Sequence, residues 1–256
     1  MIIDNLSFRM AEYSDRDVLS SLWQEAFGDE ESFFSLFFDK GFSPQRSALA
    51  VIDGRIASAL YWFDFSVDEE PIAYIYGVAT FKEYRGRGIA SALLENAAGI
   101  ISRSGYSGII LVPAKPHLYS YYEKNGYKIA TKVSIITAKP SNTPASLRII
   151  SIEEYMRLRA SYLPKHSIGI HGDGLDFMAG QYVLAAGDDF VCAFYKDEER
   201  LVCRELLGNT HAASGITSAL GCKEGEFRTV GDDKPFAMLL PFKELPQPAY
   251  LAIAFD

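Results

Sequence analysis

The chain has 256 residues, of which 48% are apolar, and its formal net charge is −8 at pH 7. The apolar fraction allows a sizeable core and excludes a disordered chain, and the length predicts one large or two modest domains. The acidic balance disfavours sequence-independent binding to nucleic acid or to an anionic membrane, and a cationic small molecule suits it better as a partner.

The first half of the chain predicts strands and helices alternating around a mixed sheet. Residues 6–11 have strand character, residues 14–27 and the stretch DEESFFSLFFDK have helical spacing, and Asp53-Gly54 predicts a hairpin between strands 47–52 and 56–67. The pattern continues with a strand over 72–81, a helix over 86–103, a strand over 108–112, a helix over 117–125 and a strand over 127–137.

The second half repeats this order loosely. Residues 138–146 are rich in Pro, Ser, Thr and Asn and predict a linker. Beyond it we expect a helix near 152–163, a polar loop in SIGIHGDGLD, a strand hairpin, a helix near 211–220 and three strand-like runs that end in YLAIAFD. The predicted fold class is α/β (α+β): a domain over 1–137 with a mixed central sheet flanked by helices, then a smaller α/β region over 147–256.

Cysteine usage and the first residues of the sequence bear on compartment and metal binding. Cys192, Cys203 and Cys222 are sparse, odd in number and without a CxxC pair, so no disulfide framework or zinc site is expected. The start MIIDNLSFRM lacks the features of a signal peptide, and no apolar run approaches the ~18 residues of a membrane helix. These features predict a cytoplasmic protein.

The stretch RGRGIASALL, residues 85–94, places two glycines and two arginines where a strand gives way to a helix. A helix start offers unpaired N–H groups and the positive end of the helix dipole, glycine removes the Cβ that would keep an anion away, and arginine matches phosphate oxygens. The stretch therefore predicts a pyrophosphate site. Ser91 stands where a dinucleotide fingerprint needs its third glycine, and no P-loop ending is present.

The same residues spell Arg-x-x-Gly-x-Ala, which resembles the coenzyme A loop of the GNAT acetyltransferase superfamily. A second stretch, LYSYYEKNGYK (118–128), resembles that family's "FYEKxGF" helix, and the likeness covers residues 1 to about 137. AYIYGVATFKEYRGRGIASALL and LVPAKPHLYSYYEKNGY resemble the "enhanced intracellular survival" subgroup. That resemblance implies a degenerate second GNAT-like region over 147–256 and a possible homo-oligomer.

The resemblance implies acetyl-coenzyme A as co-substrate and assigns roles to individual residues. The strand end that would bind the pantetheine arm is Val78, Ala79 and Thr80. The pyrophosphate would be held by the backbone of Arg85, Gly86, Arg87, Gly88, Ile89 and Ala90, with Ser91 at the edge. Tyr122 would protonate the departing thiolate, which suits a phenol that stays protonated at neutral pH; the alternative is a core tyrosine on an aromatic helix.

The sequence departs from the family pattern at the general base. Many members carry a glutamate on the central strand, and residues 71–81 contain no acid; Lys82 and Lys115 also replace a common proline and asparagine. Three candidates stay open: a water molecule, Asp64 on the preceding strand, and Asp256, because the chain's C-terminal carboxylate is the base in the best-known members of the subgroup. For Asp256 the alternative is an ordinary surface end.

Aromatic residues of the first helices and strands could form the acceptor pocket or the core. They are Trp23, Phe27, Phe33, Phe34, Phe37, Phe38, Tyr61 and Trp62. Rings at helical spacing usually belong to a core, although some could line a pocket for a cationic or flat apolar substrate. His166 and His171 could be read as metal ligands, but a polar loop is the favoured reading, and no metal is predicted.

The expected activity is the transfer of an acetyl group from acetyl-coenzyme A to a primary amine of a small molecule or peptide. The missing strand glutamate keeps an alternative open, a coenzyme A-binding regulatory or structural module without turnover. A third hypothesis is a related acyltransferase that uses a longer acyl group, which would need a pocket that extends past Val78.

Overall fold

The computed structural model describes residues 5–255, and within them the chain forms two mixed sheets with helices packed against them. The strands are β1 Leu6–Met10, β2 Ser47–Ile52, β3 Arg55–Val67, β4 Glu70–Thr80, β5 Gly108–Leu111, β6 Lys128–Ile129, β7 Lys132–Ala138, β8 Arg148–Ile149, β9 Ile168–Ile170, β10 Val183–Ala186, β11 Phe190–Asp197, β12 Arg200–Gly208, β13 Glu224–Val230, β14 Lys234–Pro235 and β15 Met238–Pro241. The helices are α1 Arg16–Phe27, α2 Glu31–Lys40, α3 Ile89–Arg103, α4 His117–Lys124, α5 Ile152–Tyr162, α6 Asp173–Gln181 and α7 Ala213–Ala219. The predicted α/β (α+β) class is confirmed.

The first sheet has the order β1-β2-β3-β4-β5-β15-β6, and β9 pairs with β3 beyond the end of β2. The predicted hairpin is present, and both turn residues, Asp53 and Gly54, have positive φ, as a two-residue turn of this kind requires. On one face α3 buries Ile89, Leu93 and Ile101 against the sheet. The opposite face carries α1, α2 and the larger core, which is shared with the second half of the chain.

The two sheets exchange strands. We expected one strand over 127–137, but it is two: β6 stays in the first sheet, whereas β7 crosses to the second and pairs with β13. In return β15 inserts between β5 and β6. The second sheet has the order β14-β7-β13-β12-β11-β10-β8. Each half therefore supplies backbone partners to the other's sheet, and the division at 137–147 stays a prediction.

Strands β4 and β5 separate soon after they meet. They pair in parallel only from Ile72↔Gly108 to Tyr74↔Ile110, while β4 continues to Thr80. On its other side β4 has a bulge against β3, where the register shifts between Ala59 and Tyr61. Gly77 lies in this bulge at φ +61°, and a Cβ there would stand 2.9 Å from the Trp23 ring. The bulge bends β4 away from β5 and leaves a gap between the two strand ends.

Two segments differ from the expectation for the second half. SIGIHGDGLD is not a loop, because it forms β9 and the start of α6. The part of YLAIAFD that the structure describes, residues 250–255, is not a strand: it is buried but makes no ladder. The apolar character of YLAIAFD indicated burial, but it could not show that side chains, rather than a neighbouring strand, donate hydrogen bonds to several backbone carbonyls of residues 250–255.

Candidate active site

The loop before α3 has the form of an anion site. Gly86 and Gly88 lie at φ +73° and +80°, a region that strongly favours glycine. The first N–H group of the helix with a partner is that of Ala92, which donates to the carbonyl of Gly88 at 3.0 Å. Within residues 5–255 the N–H groups of residues 86–91 have no acceptor. They stand at the positive end of a 15-residue helix, where an anion is stabilised.

The arginines of this loop have different surroundings. The Arg85 side chain donates through Nε to the carbonyl of Thr80 at 2.8 Å and lies 3.9 Å from a Glu25 carboxylate oxygen. It therefore ties the loop to the end of β4. Arg87 lies over the Tyr84 ring at 5.8 Å from its centroid. At the edge of the loop, the Ser91 hydroxyl donates to the hydroxyl of Tyr121 at 3.1 Å and so joins α3 to α4.

A cavity of about 1010 Å³ occupies the gap between β4 and β5 and extends toward the second half of the chain. Residues 75–78 of β4 and residues 111–114 after β5 form its two facing walls. Val78 and Tyr122 both line it. The structure thus brings one of the predicted pantetheine-binding residues and the predicted acid to one space, with the loop at the start of α3 following the end of β4.

The other two residues of the predicted pantetheine site have internal partners. Ala79 is buried, and its carbonyl accepts a hydrogen bond from the Ser58 hydroxyl at 2.6 Å. The Thr80 hydroxyl lies 2.8 Å from that of Ser58. Because β4 has no pairing with β5 beyond Tyr74, the backbone of this strand end on that side is left for another partner.

Tyr122 lies on α4 and is 8% exposed. Its ring packs edge-on against Tyr121 and Tyr127, with centroids at 5.2 and 5.7 Å. Burial, and secondarily the neighbouring Tyr121, raise the pKa of Tyr122 well above its usual value. The phenol therefore keeps its proton at neutral pH, as an acid must before it acts.

The candidate bases are separated by the structure. Asp64 lies in a different cleft, where it accepts hydrogen bonds from the Tyr106 hydroxyl and from Arg46, the latter at 3.2 Å. It is not part of the cavity that contains Tyr122. Asp256 is outside the described residues, but Phe255, which precedes it, lines that cavity.

The aromatic residues of the first helices divide between wall and core. Trp23, Phe27 and Phe33 line the cavity. The others pack beneath them or elsewhere in the interior; they are Phe34, Phe37, Phe38, Tyr61 and Trp62. Cavity residues that we did not predict include Tyr74, Tyr76, Tyr182, Tyr195 and Arg228. Only the first two had a signal, the alternation in AYIYG that directs both rings to one face of β4.

The remaining histidine and cysteine candidates have structural surroundings. His166 Nδ1 lies 2.8 Å from Asp68, and His171 Nε2 lies 2.8 Å from the Ser66 hydroxyl. All three cysteines are buried and unbridged. Within the described range, no group of three or more His, Cys, Asp or Glu side chains is arranged to hold a metal. No helix in that range is long and apolar enough to cross a membrane.

Comparison with known proteins supports the class that this geometry indicates. Residues 7–130 match the family described as "Acetyltransferase (GNAT) domain". With the strand gap and the loop before α3, this match identifies residues 7–130 as a GNAT-type acetyltransferase domain, and the enzyme class that this domain indicates is acyltransferase. No curated protein matches the chain.

Solved structures share the fold over nearly the whole chain. A GCN5-related N-acetyltransferase from Kribbella flavida has a TM-score of 0.68 at 15% identity, covering 91% of this chain and 70% of that one. A putative acetyltransferase from Pyrococcus horikoshii has a TM-score of 0.68 at 15% identity over 99% and 95% of the two chains. Eis1 from Mycobacterium abscessus has a TM-score of 0.62 at 12% identity over 92% and 73%. At these sequence identities, the comparison shows that the proteins share a fold and nothing further.

Proposed function

We propose that the protein transfers an acetyl group from acetyl-coenzyme A to a primary amine of a small molecule or peptide, with Tyr122 as general acid. The observation that carries this proposal is the set of unpaired N–H groups at residues 86–91, next to a cavity lined by Tyr122. A pyrophosphate fits these donors, because the space around Gly86 and Gly88 is open.

The bound co-substrate would supply a thioester as acyl donor. The N–H groups of residues 86–91 would hold its pyrophosphate, and the free edge of β4 up to Thr80 would pair with the amide groups of its pantetheine arm. The acceptor would enter from the side of Trp23, Phe27 and Phe33, whose rings suit a cationic or apolar amine.

In the reaction, a bond forms between the acceptor nitrogen and the acetyl carbon, and the carbon–sulfur bond breaks. Tyr122 would donate its phenolic proton to the departing sulfur, and the proton lost by the amine would go to a base. Water or the Asp256 carboxylate is proposed as that base. Asp64 is not, because it lies in the second cleft with Arg46 and Tyr106.

We further propose that residues 147–256 are a degenerate GNAT-like region that walls the acceptor pocket and has no coenzyme A site of its own. Gly180, Gln181, Tyr195 and Phe236 from this half line the cavity beside Tyr122. A homo-oligomer of such subunits remains part of the proposal, and its mass in solution tests it.

The test combines binding with turnover. Calorimetry with acetyl-coenzyme A measures the cofactor site, and thiol release is measured with polyamines, aminoglycosides, amino acids, lysine peptides and tryptamine. Binding with amine-dependent release is expected. Binding with no release from any amine would favour the alternative, a non-catalytic coenzyme A module; absence of binding would exclude both.

A further inference from the structure

The segment Tyr250–Phe255 is apolar and lies between the two sheets, where no residue of it is more than 3% exposed. It forms no β-ladder, although the Tyr250 carbonyl accepts a hydrogen bond from the N–H of Ile168 at 2.9 Å. Its last two residues, Ala254 and Phe255, line the cavity that contains Tyr122. The segment is therefore both core and a wall of the candidate active site.

Side chains from both sheets hold the backbone of this segment. The Tyr74 hydroxyl donates to the carbonyl of Ala254 at 2.6 Å, and the Tyr76 hydroxyl donates to that of Phe255 at 3.0 Å. From β13 in the second sheet, Arg228 donates to the carbonyl of Ala252. Buried carbonyls need such partners, and here three of the last four described residues receive them from side chains.

Phe255 is also fixed by its ring and its backbone. The ring packs against five others, with centroid distances of 5.0 to 5.9 Å: Phe63, Phe65, Tyr74, Tyr76 and Phe177. Its φ is +57°, which is unfavourable for a bulky residue and persists only where the surroundings impose it. The turn in the chain at this point is thus imposed by contacts rather than by local preference.

We propose that Tyr74, Tyr76 and Arg228 are positioning residues that fix the segment Tyr250–Phe255 as the acceptor-side wall of the cavity. The inference rests on the proposed acetyl transfer. The wall faces the space in which an amine must meet the acyl group. None of the three side chains belongs to the predicted pyrophosphate loop, and removing a hydroxyl from Tyr74 or Tyr76 leaves the backbone of β4 in place, so we expect acetyl-coenzyme A affinity to be retained.

The experiment compares Tyr74→Phe and Tyr76→Phe with wild-type protein in steady-state kinetics, with tryptamine and spermidine as the first acceptor probes. Each substitution keeps the ring and removes one hydroxyl donor. The expected result is a fall of about tenfold in kcat/KM for the amine, from the loss of one buried hydrogen bond, with an unchanged Kd for acetyl-coenzyme A. Amide hydrogen exchange over residues 251–255 should become faster in both variants.

Tyr106→Phe is the matched control, because its hydroxyl also donates to a protein oxygen but in the second cleft. It should change neither the kinetics nor exchange at residues 251–255. A parallel loss of acetyl-coenzyme A affinity in Tyr74→Phe and Tyr76→Phe would mean a general structural role and would overturn the proposal, as would unchanged amine kinetics.

The proposed acetyl transfer and the proposed role of Tyr74, Tyr76 and Arg228 can be tested separately. If wild-type protein binds acetyl-coenzyme A but releases no thiol with any amine of the panel, the result favours the non-catalytic alternative over acetyl transfer. Amide exchange then decides the seating of the segment by itself: faster exchange confined to residues 251–255 in the variants supports it, and unchanged exchange overturns it.

Discussion

Within residues 5–255, each sheet contains one pair of parallel neighbouring strands with a helix between them in sequence, β4 and β5 in the first sheet and β12 and β13 in the second. The two pairs differ in how far the strands stay paired. In the first sheet β4 and β5 pair for three residues and then separate. In the second sheet β12 and β13 stay paired from Arg200↔Glu224 to Leu206↔Thr229, with one irregularity after Cys203. The cavity of the candidate site lies where β4 and β5 part, whereas β12 and β13 keep their pairing over most of β13.

The helices that follow β4 and β12 also differ in how many N–H groups at their start are left unpaired. Helix α3 follows two left-handed glycines and presents unpaired N–H groups. Helix α7 is seven residues long, and in the turn before it the Asn209 side chain accepts a hydrogen bond from the N–H of His211. At least one N–H group before α7 is therefore already paired with a side chain of the protein. An anion site at a helix start requires N–H donors that the protein leaves free.

The second region contains a buried ion pair in its interior. Glu205 on β12 accepts hydrogen bonds from Arg159 of α5 at 2.7 and 3.1 Å and from the Tyr155 hydroxyl, and all three side chains are fully buried. Such a network joins α5 to the sheet. The comparison therefore predicts that changes in the first pair alter catalysis or binding, and that changes near the second alter stability.

The largest effect is expected from Tyr122→Phe, which keeps the buried ring and removes the proton donor. The value of kcat should fall by about 10²- to 10⁴-fold, the usual contribution of a general acid, while the Kd for acetyl-coenzyme A is unchanged. Tyr127→Phe is the control, because the Tyr127 hydroxyl is buried, has no hydrogen-bond partner among residues 5–255, and does not line the cavity. Equal kinetics for Tyr122→Phe and wild type would refute the role of the phenol.

The next effect tests the second region. Arg159→Met leaves the Glu205 carboxylate buried without its cation, and should lower the free energy of unfolding by about 3–5 kcal/mol. Chemical denaturation measures this, with Arg148→Met as control, because the ion pair of Arg148 with Glu154 is at the surface and its loss should change stability little. Acetyl-coenzyme A affinity of the folded variant should be unchanged, and a selective loss of that affinity would contradict the division of roles.

A smaller effect is expected from Gly88→Ala. Its φ of +80° makes any side chain unfavourable, by about 1 kcal/mol, and the Cβ would enter the open space proposed for the pyrophosphate. We expect acetyl-coenzyme A affinity to fall by about tenfold in calorimetry. Gly54→Ala is a matched control at φ +78°, also in open space but in the β2–β3 turn. It should lose similar stability and no affinity.

The smallest effect concerns pH. Burial raises the pKa of Tyr122, so its acid form, which is the active one, persists as pH rises. The plot of kcat/KM against pH should therefore show no decline due to Tyr122 between about pH 7 and 10. A decline in that window which disappears in Tyr122→Phe would show that the phenol titrates near its ordinary pKa.

Local sequence patterns predicted the positions of most strands and helices in the first half of the chain. The Asp53-Gly54 turn, the apolar periodicity of α3 and the glycines before it are short-range signals, and each element lies close to its expected position. Tyr122, to which the resemblance to the GNAT family assigns the role of acid, lines the cavity, and that role stays a prediction. Local patterns could not show that Asp64 lies outside the cavity, because its partners Arg46 and Tyr106 are distant in sequence and are brought to it only by folding.

The sequence by itself determined the class of the protein, because a helix start rich in glycine and arginine after an apolar strand carries its chemistry in consecutive residues. Only the tertiary structure decided how the halves combine. The exchange of β7 and β15, the bend of β4 at Gly77 and the place of residues 250–255 all depend on contacts between distant parts of the chain. An apolar run indicates that a segment is buried. Which hydroxyl donates to which of its carbonyls is determined only when both sheets are assembled.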